Sequence, residues 1–343
     1  MKCLVWYSRR KWRARNAKEK SQKFGKYNLL IFFLQNRAFL LVMIFFIMLT
    51  LSTDTFLTKG NLMSLIRQIA ANGIIGVGYT FLLASDSVDL SAGYMMCMIG
   101  IIGGLLSQTG MPFPLLLLIC VVIAVCCSST NAVIENKFGL PPFLVTLAMQ
   151  QIFRGVLMLL SNGSPISGLN EGILFMGQGY VGPIPFSVLL MLVFIIAGHI
   201  IFSRTQFGRN VIAVGGNPDA ARVSGINVER TRVYVSALLG FTIAIMAMVS
   251  CGRVASAQTT LGGDTVMDII AAVVIGGTPM GGGSGTVGGT LFGCLVIGLI
   301  SNGLNLLKVS SYWQMVSKGV IILVAVILDV YTERVFDRMR KKE

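Results

Sequence analysis

Residues 186–202 read FSVLLMLVFIIAGHIIF; Arg204 follows, then the polar stretch TQFGRNVIAVGGNPDAARVSGINV at 205–228, and apolar sequence resumes over Val233–Cys251. The first block approaches the roughly 20 residues that a helix needs to cross a bilayer, and its apolar residues surround the helix instead of forming a stripe. Val233–Cys251 behaves the same way, as does Val320–Val330 with its upstream flank. The pattern is that of two membrane spans joined by a polar connection. The rest of the chain agrees: of 343 residues, 54% are hydrophobic and 12% charged, with a mean hydropathy of +0.77. An ordinary soluble domain carries about 25% charged residues, and a water-soluble fold cannot hide this much apolar surface.

The net charge of +14 would point to nucleic acid if it covered one face, but it is clustered. Ten Lys and Arg lie in the first 27 residues, five between Arg204 and Arg232, and five after Asp329, together 20 of the 28. Basic flanks resist translocation, so these clusters mark cytoplasmic segments, and no nucleic-acid partner is implied. Both termini then lie inside, which requires an even number of spans. The opening MKCLVWYSRRKWRARNAKEK has too short an apolar stretch for a signal peptide and is expected to be a cytosolic tail. Its Trp6, Tyr7 and Trp12 suit either the headgroup boundary or a solvated arm.

Cutting at Pro, Gly, Asn and charge clusters gives about ten spans. They fall near 32–53, 62–84, 91–109, 113–133, 143–160, 186–203, 231–251, 265–282, 286–306 and 312–330. The segments that alternation places outside contain only Lys59, Arg253 and Lys308 as basic residues, so the assignment passes its own charge test. The expected fold is an all-α integral membrane protein of about ten transmembrane helices, some broken and Gly-rich. A basic tail (1–28) precedes a single transmembrane domain (29–334) with a cytoplasmic loop at 204–230, and a second basic tail (335–343) follows. Gly281, Gly285, Gly289 and Gly293 share one face if their helix is continuous, and Gly100 and Gly104 repeat the spacing; both would let helix backbones approach closely. Two Gly/Ser/Asp-rich interruptions, LASDSVDLSAGY (83–94) and IGGTPMGGGSGTVGG (275–289), echo each other weakly on the cytoplasmic side, as broken helices do near a transport pathway.

Enzyme chemistry finds little support. Gly283, Gly285 and Gly288 spell GxGxxG, but the run joins two spans, and Lys308 stands where an acidic ribose ligand belongs. There is no GxxxxGK[ST], no HExxH and no GxSxG. The single histidine, His199, sits in an apolar span as a packed or lipid-edge residue, and six of the seven cysteines, all but Cys3, fall in or beside spans without a CxxC pair. No cofactor or metal is expected; nucleotide-driven work would need a partner.

Within the polar connection, Asn217 can cap, Pro218 fits a first helical position and Gly225 can end the turn, so 218–224 should form a two-turn helix. A helix that short does not stand alone in water. It packs either on the chain's own bundle or in a groove of a cytosolic subunit.

This connection, together with VDLSAG, IGGTPMGGGSGTVGGTLFG and NGLNLLKVSSYWQMVSKGVIILVAVILD, resembles the ribose-type branch of bacterial ABC sugar permeases, in order over about 60–334. The resemblance implies an importer permease of the bacterial cytoplasmic membrane. It implies pairing with a second permease copy or paralogue, a cytosolic ABC ATPase that uses the ATP, and an extracytoplasmic sugar-binding protein. The family's coupling helix maps onto Gly216, Asn217, Pro218, Asp219, Ala220, Ala221, Arg222 and Gly225. Where such permeases commonly read GGIDLSVG this chain has Ser85-Asp-Ser-Val-Asp-Leu-Ser-Ala-Gly93, and Thr278-Pro-Met-Gly-Gly282 replaces the frequent SLSGG. Both departures border the expected path, so the sugar stays open.

Candidate path residues are Asp89, Ser91 and Gly93 in the first interruption, with Asn302, Asn305 and Trp313 at an outer end. Asp89 also suits a cap on the next span, and the outer group, with Tyr312 and Gln314, also suits an interfacial belt. Arg67 and Arg154 fall within spans and should face the protein interior or snorkel. The rival class, a secondary active transporter of a small polar solute, needs carboxylates inside spans; only Asp268 and Asp329 approach that.

Overall fold

The computed structural model describes residues 37–260, 262–263, 265–321, 323–324 and 327. Both basic tails and the end of the expected last span lie outside the described residues. The described residues are all-α apart from one two-stranded hairpin. The helices are α1 (Arg37–Ser52), α2 (Lys59–Ala84), α3 (Ala92–Gln108), α4 (Phe113–Phe138), α5 (Pro142–Ser161), α6 (Glu171–Gln178), α7 (Phe186–Arg204), α8 (Gln206–Gly216), α9 (Pro218–Val223), α10 (Val228–Val254), α11 (Thr265–Ile275) and α12 (Val287–Leu306). Residues 311–321 are helical as well. The hairpin pairs β1 (Tyr180–Val181) with β2 (Ile184–Pro185).

Five of these helices, α4, α5, α7, α10 and α12, are long and apolar enough to cross a membrane; α1, α3 and α11 are apolar but shorter. Their ends follow local chemistry. Pro114 and Pro142 occupy first-turn positions of α4 and α5, where a missing N–H costs nothing. Gly139 and Asn162, both left-handed, terminate the same two helices.

Helix α2 forms the axis of the bundle, buried without interruption from Ile69 to Ala84 and packed on α7, α10, α11 and α12. Its glycines make this possible: a Cβ at Gly78 would overlap Thr242 of α10, and one at Gly76 would press on Thr290 of α12 at 3.0 Å. Gly100 of α3 lies against Cys251 of α10, and Gly104 against Ile166 and Ala257, so the spacing of these two glycines does seat a close contact.

The second glycine series is different. The expected span over 265–282 stops at Ile275, and 276–286 is irregular. Gly277, Gly282 and Gly283 take φ of 95°, 71° and 75°, and Pro279 offers no N–H to continue a helix. Gly281 and Gly285 therefore lie in the break and share no helix face with Gly289 and Gly293. The latter two do pack closely, against the carbonyl oxygens of Gly276 and Ala272. Two further elements have no counterpart among the expected spans. Helix α6 and the hairpin fill the 161–185 segment, and Gly177 and Gly252 bring the backbones of α6 and α10 into contact.

Candidate translocation and coupling sites

The first interruption, 85–91, joins α2 to α3 and is held by a buried polar network. Asp89 Oδ1 accepts from the Ser91 amide at 2.8 Å and from Ser91 Oγ, and Asn131 Nδ2 of α4 donates to Asp89 Oδ2 at 3.2 Å and to Ser91 Oγ at 3.0 Å. Tyr79 of α2 donates its hydroxyl to the Asp89 carbonyl at 2.5 Å. Asp89 is 4% exposed and Ser91 fully buried. Asp89 lies two residues before Ser91, the N-cap position of α3, and the network ties α2, α3 and α4 together. Asn131 Oδ1 and Ser128 Oγ, beside it on α4, have no partner among the described residues, which leaves acceptor capacity in the cluster. Gly93 lets the backbone of α3 meet that of Gly262.

The outer candidates sit at the opposite end of α2, roughly 27 Å away along a helix that rises 1.5 Å per residue. Asn302 is buried in a reciprocal amide pair with Asn61, at 3.1 and 2.7 Å. Asn305 Oδ1 accepts from Gln314 Nε2 at 2.9 Å, while Tyr312 and Trp313 are exposed. The six path candidates thus form two groups, not one. Arg67 donates to the Gln178 carbonyl at 2.9 Å and lies 4.7 Å over the Tyr180 ring, reaching the end of α6; Arg154 stacks 5.4 Å over Tyr94. Asp268 of α11 pairs with Lys318 at 2.6 Å.

Polar connection 205–227 is more ordered than its composition suggests. Thr205 caps α8, whose Phe207, Val211 and Val214 recur at helical spacing and face inward. Helix α9 then begins at Pro218 with Asn217 Oδ1 accepting from the Ala220 amide at 2.9 Å, and the chain turns left-handed at Gly225, φ 82°. Ala221 packs with Val214 and Val228 in a small core of its own, 4% exposed. Ala221 therefore lies on the inner face of α9, while Asp219, Ala220, Arg222 and Val223 are exposed on its outer side. Val223 is 90% exposed. Arg222 bridges Glu229 at 2.8 Å and Asp219 at 3.3 Å, and its bond to Glu229 raises its pKa.

A junction connects the two regions. The Gly283 amide donates to the Ala84 carbonyl at 3.0 Å, tying the second interruption to the end of α2. Gly215 packs its backbone on that same carbonyl, and Gly216 lies against Gly283. Three segments, 84–86 and the glycine pairs 215–216 and 282–283, therefore meet one residue before the Asn217 cap. Asp86 stands at this junction with φ 57°, and partial burial raises its carboxyl pKa, opposed by Arg232.

Sequence reasoning missed Tyr79, Asn61 and Asn131. Asn131 carries a usable signal, an amide within the apolar α4, because polar groups in spans need partners.

Residues 61–326 match the family described as "Branched-chain amino acid transport system / permease component". The ribose import permease protein RbsC of Bacillus subtilis is 38% identical over 85% of this chain and 91% of its own length. RbsC of Haemophilus influenzae is 37% identical over 88% and 94%. The xylose transport system permease protein XylH of Escherichia coli K12 is 30% identical over 88% and 92%. No solved structure matches significantly. The family description names an amino-acid system, whereas the sugar permeases align with this chain over nearly their whole lengths. A multi-pass helical bundle, without the sequence motifs of a nucleotide site but with near-full-length kinship to sugar permeases, belongs to the ribose-type ABC sugar permeases and is the permease subunit of an ABC sugar importer.

Proposed function

We propose that the chain forms the path for a ribose-like monosaccharide by alternating access, with α9 as the helix through which a cytosolic ABC ATPase drives it. The observation that carries this is the division of α9. Its inner face is anchored on Val214 and Val228, its N-terminus is capped by Asn217, and its outer face presents Ala220 and Val223 to solvent. A helix of six residues gains nothing from such rigidity unless something docks on it. Force applied there reaches the interior by a short route, because Gly215 and Gly216 rest on the ends of both broken segments. Movement of the 84–86 and 282–283 breaks would reshape the buried ends of α2 and α12.

In the full assembly, about ten spans place both termini in the bacterial cytoplasm. A second permease copy or paralogue completes the path, and an extracytoplasmic binding protein delivers the sugar. Chemistry at the path is non-covalent: hydroxyls leaving water need polar partners, since burying one unpaired costs on the order of a few kcal/mol. Asp268, one of the two carboxylates that the sequence offers an ion-coupled carrier, is already paired with Lys318, although Glu135 is buried within α4. The test is to purify the chain with whatever ATPase and binding protein accompany it, identify the retained sugar, and reconstitute uptake. ATP-dependent uptake of that sugar is expected; uptake by the chain alone in a proton gradient would overturn the reading.

A further inference from the structure

A cleft of about 470 Å³ opens between the last turn of α4 and the first turns of α10, beside α9. Its walls are apolar: Val133 is 47% exposed and Tyr234 60%, with Val233 between them. Lys137 and Arg230 stand at its rim, and among the described residues neither pairs with a carboxylate. Asn136 also lines it, its Nδ2 donating to the Glu229 carbonyl at 3.1 Å. The Glu229 carboxylate is engaged by Arg222 at 2.8 Å.

Both helices are long and apolar enough to cross a membrane and both end here, with Lys137 and Arg230 one helical turn beyond Val133 and Tyr234. We infer that the cleft binds an anionic phospholipid, with an acyl chain along Val133, Val233 and Tyr234 and the phosphate between Lys137 and Arg230. Membrane-proximal Lys and Arg favour anionic lipid, and Tyr suits the headgroup boundary. A soluble anion would leave the apolar walls unused, and a zwitterionic lipid would bring its own cation up to Lys137 and Arg230. Arg222 has a part in this. With its guanidinium on Glu229, the carboxylate does not repel the phosphate; drawn away, it leaves a bare acid in the cleft. The inference rests on α4 and α10 spanning the bilayer and is independent of the coupling role of α9.

The full-length permease, purified in detergent without ATPase or sugar, is titrated with phosphatidylglycerol and with phosphatidylcholine and read by native mass spectrometry. Preferential retention of phosphatidylglycerol is expected. Lys137→Ala/Arg230→Ala should lower that affinity about 30-fold, each surface cation contributing about fivefold. Arg222→Ala should lower it by a smaller factor. Arg204→Ala/Arg209→Ala removes the same charge from exposed positions elsewhere in the connection and should leave retention unchanged, and Lys137→Arg/Arg230→Lys should restore it, excluding misfolding as the cause. Equal losses in the two alanine pairs, equal retention of the two lipids, or displacement of phosphatidylglycerol by millimolar inorganic phosphate would each overturn the assignment.

Discussion

Helices α7 and α10 flank the same polar connection and both are apolar enough to span a membrane, yet they occupy different surroundings. In the most apolar stretch of α7, 22% of residues are buried; in that of α10, 72% are. Helix α7 turns Leu192, Val193, Ile196 and Ile200 outward. Helix α10 places Gly240 on the backbone of α4 and Gly252 on that of α6, with Thr242 and Ser250 buried alongside. Lipid is as apolar as leucine, so hydrophobicity brings a helix into the bilayer but does not decide which helix occupies the centre. Small residues do, by allowing backbones to touch, and polar side chains with partners lock the result.

That comparison is broken most sharply by bulk. A Cβ at Gly240 would stand 2.6 Å from the Ala124 carbonyl oxygen, whereas Gly155 of α5 has open space around it. Gly240→Leu is expected to cost about 3 kcal/mol or more and to abolish a monodisperse peak in detergent. Gly155→Leu should change stability by no more than about 1 kcal/mol. Equal yields and melting temperatures would show that glycine content does not sort central helices from peripheral ones.

Polar partners give the next effect. Asn131→Leu removes the amide donor to Asp89 Oδ2 and to Ser91 Oγ in the buried network and should cost about 1–3 kcal/mol. Thr130→Leu, one position along on the exposed side, should stay within about 0.5 kcal/mol. Thermal melts of the two variants separate a structural network from an incidental one.

Asp86 supplies the smallest effect. Its φ of 57° disfavours any side chain, so Asp86→Gly should stabilise by about 1 kcal/mol. Its raised pKa means that the folded state binds the proton more tightly than the unfolded chain. Stability should therefore be highest below the ordinary carboxylate range and fall as pH rises through the raised value. Asp86→Asn should flatten that slope in melts taken from the ordinary carboxylate range upward.

Most helix positions were legible in the sequence because blocks such as Phe186–Phe202 are long, apolar and bounded by charge. Helix α9 was legible for a different reason: Asn217, Pro218 and Gly225 each perform a specific terminal role. What hydropathy could not give was the break after Ile275. Gly276 and Gly277 are as compatible with a packed helix as with a turn, and only positive φ at 277, 282 and 283 distinguishes them. The site was less legible still. Asp89 finds Asn131 across 42 positions and Gly216 meets Gly283 across 67, contacts set by helix packing with no local signal. Which side of α9 is buried was not legible, because six residues are too few for a periodic pattern to declare it, and only the structure puts Ala221 inward.

The most direct test of the account compares the two faces of α9. Val223→Asp places a charge on a side chain that is 90% exposed, and Ala221→Glu places one in the small core with Val214 and Val228. Both variants are measured for melting temperature in detergent and for ATPase retained on co-purification. With α9 as the docking helix, Val223→Asp should keep the parental melting temperature yet lose ATPase binding about tenfold or more, since an unpaired charge enters a contact that excludes water. Ala221→Glu should melt at lower temperature even without a partner. Full ATPase retention by Val223→Asp, with normal sugar-stimulated hydrolysis and uptake, would contradict the coupling role.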